Sequence, residues 1–211
     1  MKSFLIRPAL ALALAAGLAG CGGSDKAEFT VGGTVYTLLY PGLQLKTNGA
    51  VIDVAPPAKA GDTVTYAFPN KLEYGDEYNV QIERNPQHQS CQLTNPNYAT
   101  NADTAGRLAE INVQYVCSIN QFSIGGTITG LTADGLVLAN GSTGGTYTAA
   151  TPATPPATTP ITYALPLVKF GTTYGVTVTR QPAGQVCTVV NPTGTMGDAA
   201  VTNVNVTCVA A

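Results

Sequence analysis

Tryptophan is absent from this chain of 211 residues, histidine occurs once, methionine twice, and charged residues make up only 10%. Each scarcity excludes something. One histidine, His88, cannot supply the clustered imidazoles of a typical zinc site. It lies in Pro86-Gln87-His88-Gln89 with no acid, base or nucleophile spaced around it, so it reads as a solvated loop residue. A net charge of −2 and a pI near 5.2, without clustered Lys and Arg, exclude the electrostatic footprint of a nucleic-acid-binding protein. No apolar run beyond the first twenty residues approaches the about 20 residues needed to cross a bilayer as a helix.

Chemistry-bearing constellations are equally scarce. Nucleophilic catalysis needs a base beside an activated Ser, Cys or Thr, and no such arrangement is visible. The cysteines show no Cys-x-x-Cys redox spacing. Gly32-Gly33-Thr34 lacks the lysine of a phosphate loop. Glu73, Asp76 and Glu77 form an acidic group of the kind calcium needs, but too few oxygen ligands converge in the sequence to complete a site. The expectation is a protein with no catalytic residue, no cofactor and no metal.

What the sequence does contain begins at its first residues. Lys2 and Arg7 precede an Ala- and Leu-rich run from Pro8 to Gly20, ending in small residues. A charged start, an apolar middle and small residues before a cut are the features of an export leader, here residues 1–20. Leu18-Ala19-Gly20-Cys21 closes the run and resembles the lipobox of bacterial lipoproteins. That resemblance implies cleavage before Cys21, acylation of Cys21 (palmitate among the chains) and attachment to a membrane. Two or three acyl chains hold a protein far more firmly than one. In lipoproteins an Asp after the cysteine favours inner-membrane retention; Gly22 stands there, which implies the outer membrane. Residues 21–28 then form a lipidated tether.

The remainder is one module written twice, residues 29–117 and 122–211. Phe29-Thr30-Val31-Gly32-Gly33-Thr34-Val35 is answered by Phe122-Ser123-Ile124-Gly125-Gly126-Thr127-Ile128, and Thr65-Tyr66-Ala67-Phe68-Pro69 by Thr162-Tyr163-Ala164-Leu165-Pro166. Tyr78-Asn79-Val80-Gln81-Ile82 matches Tyr174-Gly175-Val176-Thr177-Val178. Arg84, Pro86, Gln89, Cys91, Asn95 and Pro96 match Arg180, Pro182, Gln185, Cys187, Asn191 and Pro192. Asn112, Val113 and Cys117 match Asn203, Val204 and Cys208.

Apolar and polar residues alternate within each copy, which is the period of a half-buried strand. Tyr78, Val80 and Ile82 share a face, as do Ile111, Val113, Tyr115 and Cys117. Setting Cys21 aside leaves Cys91, Cys117, Cys187 and Cys208, which formally permit three connectivities. Pairing within each module, Cys91 with Cys117 and Cys187 with Cys208, is the economical one and fits an oxidising compartment. Pro41-Gly42 suits a type II turn, and its counterpart Asp134-Gly135 suits a type I′ hairpin.

The spacing Leu72, Gly75, Tyr78, Val80, Ile82, repeated in Phe170, Gly171, Tyr174, Val176, Val178, resembles the tyrosine-corner region of fibronectin type III and immunoglobulin-like sandwiches. The early Gly-Gly-Thr strand is similar to prealbumin-like and collagen-adhesin B-type modules. The second copy as a whole is similar to tandem repeats of bacterial envelope lipoproteins and large surface proteins, which are accessory or stalk domains. The expected fold is therefore all-β, two tandem small antiparallel Ig-like β-sandwich modules after a lipoprotein signal peptide.

Thr151-Pro152-Ala153-Thr154-Pro155-Pro156-Ala157-Thr158-Thr159-Pro160 reads as an exposed loop of polyproline II character, since its prolines cannot donate within a central strand. Its composition suits O-glycosylation at Thr151, Thr154, Thr158 and Thr159. The expected function is a noncatalytic, lipid-anchored cell-envelope protein acting as a structural or interaction module, with the membrane, an envelope protein or a glycan as partner and no nucleic acid. The alternative is a carbohydrate-binding or adhesin-type protein, on the strength of Tyr36, Tyr40, Tyr66, Tyr98 and Tyr147, whose rings suit stacking on sugars. A hydrolase is disfavoured because paired carboxylates and a positioned histidine are missing.

Overall fold

The computed structural model describes residues 27–94, 101–151 and 159–211. The export leader, Cys21, Asn95, Pro96, Tyr98, Thr154 and Thr158 lie outside the described residues. All regular structure among the described residues is β, and no helix there is long and apolar enough to cross a membrane.

The first module comprises β1 (Glu28–Tyr36), β2 (Leu43–Thr47), β3 (Ala50–Val54), β4 (Val64–Glu73), β5 (Glu77–Asn79), β6 (Gln81–Arg84), β7 (Gln89–Leu93), β8 (Ala102–Thr104) and β9 (Ile111–Ile119). The second comprises β10 (Gln121–Thr129), β11 (Val137–Asn140), β12 (Thr146–Thr148), β13 (Ile161–Lys169), β14 (Thr173–Arg180), β15 (Gln185–Val190), β16 (Thr193–Thr195) and β17 (Asn205–Ala210). One sheet of each module has matching order, β4-β1-β9-β7 and β13-β10-β17-β15. Opposite it, the second module has the single sheet β12-β11-β14-β16, whereas the first has β3-β2-β6 and β5-β8 as separate pieces. The break falls at Val80, whose amide and carbonyl are taken by Asn101 and whose carbonyl also accepts from Tyr115.

Alternation explains which side of each strand is buried. In β9, Ile111, Val113, Tyr115 and Cys117 are buried and the residues between them are not; in β4, Tyr66, Phe68 and Leu72 face in. Two separate apolar cores result. Val31, Val35, Leu43, Leu45 and Val80 centre the first; Ile124, Leu136, Leu138, Val204 and Val206 centre the second. Full burial of each such side chain contributes about 1.5–3 kcal/mol. Pro69 and Pro166 are tolerated within β4 and β13 because both strands lie at sheet edges, where a missing donor costs no ladder bond.

Most strand pairs are antiparallel, but the first and last strands of each module, β1 with β9 and β10 with β17, run parallel. The hairpin expected at Asp134-Gly135 is not formed, because β10 and β11 belong to different sheets and the segment crosses between them. Gly135 (φ 104°) and its counterpart Gly42 (φ 102°) are left-handed while Asp134 is not, so Asp134-Gly135 lacks the two consecutive positive-φ residues of a type I′ turn. Arg84 and Arg180 each donate Nε–H to the carbonyl of that glycine, at 3.0 and 2.8 Å.

Candidate functional site

Cys91 and Cys117 form one disulfide, Cys187 and Cys208 the other. Each pair sits directly opposite on neighbouring antiparallel strands, β7 with β9 and β15 with β17. The in-module pairing expected as the economical one is therefore the one present. All four cysteines are inward-facing and buried. Asn85 Oδ1 accepts the amide of Cys91, and Gln181 does the same for Cys187 while donating to its carbonyl. A side-chain amide thus occupies an edge-strand position that another strand would otherwise fill.

Three further devices repeat in both modules. Gln89 is almost completely buried, accepts the amides of Leu39 and Tyr40 at 2.7 and 3.1 Å, and donates to the carbonyl of Thr37. Gln185 does the same with Thr132, Ala133 and Gly130. Tyr66 donates to the carbonyl of Val113 at 2.9 Å, and Tyr163 to that of Val204 at 2.7 Å. These, with Tyr115, are the hydroxyls that bridge strands, not the tyrosine-corner candidates Tyr78 and Tyr174. The doubled glycines now have a reason. A Cβ on Gly33 would collide with the Val113 carbonyl and the Tyr66 hydroxyl, and one on Gly126 with the Val204 carbonyl.

His88 does lie in a turn, between β6 and β7, but its side chain is engaged and not left to solvent. It lies where the two modules meet, stacked on Phe170 with ring centroids 3.7 Å apart, and Tyr40 packs edge-on against both rings. Its Nδ1 is 2.6 Å from Asp198 Oδ2. Between β9 and β10 stands Asn120 alone; its amide donates to the carbonyl of His88, and its own carbonyl accepts from Phe170, both at 2.9 Å. Ser90 donates to the Asn120 side chain. The solvent-exposed reading failed because His88, Phe170 and Asp198 are far apart in sequence, and neither His88 nor Asp198 is repeated between copies, where Gly184 and Arg107 stand instead.

The remaining expected residues are dispersed. Tyr66 is buried in the core, and Tyr147 tilts against Tyr163 with centroids 5.5 Å apart. Tyr36 and Tyr40 are half-buried. Thr151 donates both its amide and its hydroxyl to Asp134, holding that carboxyl below its usual range, while Thr159 is exposed. Asp76 accepts the amide of Glu73, and no grouping of three His, Cys, Asp or Glu able to hold a metal occurs among the described residues. Burial pushes the hydroxyls of Tyr115 and Tyr163 up to about 12, and that of Tyr66 further. Tyr78 is also raised, by burial first and then by Asp103, with Arg107 opposing.

Two open grooves occupy equivalent places. One, about 680 Å³, is lined by Asn48, Glu77, Tyr78, Asn79, Asp103 and Thr104 among others. The other, about 620 Å³, includes Gly141, Thr173, Tyr174 and Gly175, the counterparts of Asn48, Glu77, Tyr78 and Asn79. Both are polar and shallow. No protein-family model matches the chain, and neither does any curated protein.

Proposed function

We propose that this chain is a noncatalytic, lipid-anchored protein of the cell envelope, attached through acylated Cys21 to the outer membrane, and that its paired sandwiches serve as a structural or interaction module. The observation that carries this reading is where the buried polar side chains go. Gln89, Gln185, Tyr66 and Tyr163 all bond backbone groups and brace the sandwiches, so none is held ready for a substrate. Asn120 and His88 join the modules in the same economical way. Palmitate labelling with envelope fractionation tests the anchor: label should be lost in Cys21→Ser, and retention of label there refutes it. Affinity capture from the native envelope then identifies any envelope-protein partner.

The twin grooves favour a second reading, a carbohydrate-binding or adhesin-type protein, because Asn, Thr and Tyr line both at the same place in the module. A glycan array decides between the two. Binding lost on Asn79→Ala supports the second reading, and an array at background discards it.

A further inference from the structure

Tyr74 is 76% exposed, the most exposed large apolar or aromatic side chain among the described residues. It follows Glu73, which pairs with Glu28 at the start of β1, so it stands at the pole where the chain enters the first module. From Cys21 to Ala27 an extended chain spans at most about 20 Å. That pole is therefore held close to whatever holds Cys21.

The internal repeat shows what this pole does elsewhere. Phe170 precedes Gly171 as Tyr74 precedes Gly75, and in the second module it is the residue that docks, covered by His88 and Tyr40 of the first. Asp198 follows Gly197 as Arg107 follows Gly106, and Asp198 is the acid that meets His88. The first module keeps the aromatic and replaces the acid with Arg107. Tyr74 lies against the Gly106 backbone, where a Cβ would strike its ring, so the aromatic is placed rather than loose. Leu108, 51% exposed, is two residues further along.

We infer that this pole, through Tyr74, Leu108 and Arg107, seats on the headgroup region of the lipid bilayer that holds Cys21. The inference rests on the lipid-anchor reading. Tyrosine presents an apolar ring and a polar tip, the combination enriched at membrane interfaces. Arg107 gives one N–H to Asp103 at 2.8 Å, and its side chain, 71% exposed, has further donors for phosphate oxygens. A second copy fits less well. Its free pole carries Gly184 and Ala133 where the first module has His88 and Tyr40, so it offers no aromatic socket. Glu28, Glu73 and Asp76 border the pole, so the contact depends on the ring and the leucine more than on net charge.

The absence of tryptophan makes the test direct. Full-length lipidated Tyr74→Trp is reconstituted into phosphatidylcholine–phosphatidylethanolamine vesicles with acyl chains brominated near the headgroup, beside Val186→Trp as a distant exposed reference. The expected result is a blue-shifted emission from the indole of Tyr74→Trp, quenched at least twofold by the bromolipid, with the emission of Val186→Trp unaffected. The inference is overturned if the indole of Tyr74→Trp stays open to aqueous iodide and unquenched by lipid while mass spectrometry shows acylated Cys21. Equal quenching in both variants overturns it too, as does shielding of the Tyr74→Trp indole that grows with protein concentration without lipid quenching. An unacylated Cys21 and failure to float with vesicles instead defeat the underlying reading, and the inference falls with it.

Discussion

The imidazole of His88 lies flat on the ring of Phe170, their planes within 7° of parallel. His88 holds a left-handed backbone (φ 58°) that its counterpart Gly184 (φ 67°) adopts without a side chain to accommodate. A non-glycine residue in that region costs about 1–2 kcal/mol. The first module accepts this cost at a residue whose side chain, with that of Tyr40, reaches its neighbour.

Removing that side chain should therefore uncouple the modules and leave each folded. His88→Gly relieves the backbone and deletes the stack, a contact worth about 0.5–1.5 kcal/mol beyond area burial. The expected outcome is an unchanged or slightly raised stability of the first module, with broader inter-module motion by residual dipolar couplings. Couplings identical to the parent would contradict the role assigned to His88.

Each disulfide should act on its own module. Replacing Cys91 and Cys117 by alanine is expected to cost the first module about 3 kcal/mol in the chain-entropy model. Denaturant unfolding monitored by probes in each half should show the second transition unmoved. The Cys187–Cys208 pair should give the mirror result.

Gln89→Leu keeps the size of the side chain but leaves the amides of Leu39 and Tyr40 and the carbonyl of Thr37 without their partner. Each unsatisfied buried group costs about 1–3 kcal/mol, so the loss should exceed about 2 kcal/mol. Gln185→Leu should match it in the second module. A change under about 0.5 kcal/mol by urea unfolding, below the net worth of even one hydrogen bond, would show that water replaces the clamp.

Alkaline pH should weaken both modules. Tyr115 and Tyr163 titrate near 12 in the folded chain against an ordinary value of 10. Above about pH 10 the unfolded chain releases protons that the native chain retains, so stability present below about pH 10 declines as pH rises toward about 12. The urea midpoint, followed from mildly to strongly alkaline pH across that window, checks this. Tyr163→Phe should flatten the second module's decline, at a cost of about 1–3 kcal/mol for the unpaired Val204 carbonyl.

The division between what the sequence disclosed and what it withheld is physical. Strand parity placed Ile111, Val113, Tyr115 and Cys117 on one face because alternation follows directly from the pleat, and the disulfide pairing followed from choosing the shortest loops among three connectivities. The repeat aligned Gln89 with Gln185 and Tyr66 with Tyr163, yet their tasks depend on backbone groups distant in sequence that alignment cannot locate. Asp134-Gly135 misled because hairpin chemistry is local, while the decision to cross between sheets is not. His88 was opaque for the reason that makes it informative: its partners belong to the other module.

The parallel alignment of β1 with β9, and of β10 with β17, gives this chain a mechanical character. Tension between the first and last strand of a module pulls two adjacent parallel strands past each other, so their shared hydrogen bonds bear load together in shear instead of opening one after another like a zipper. With only Asn120 between β9 and β10, the same tug passes from one clamp straight into the next.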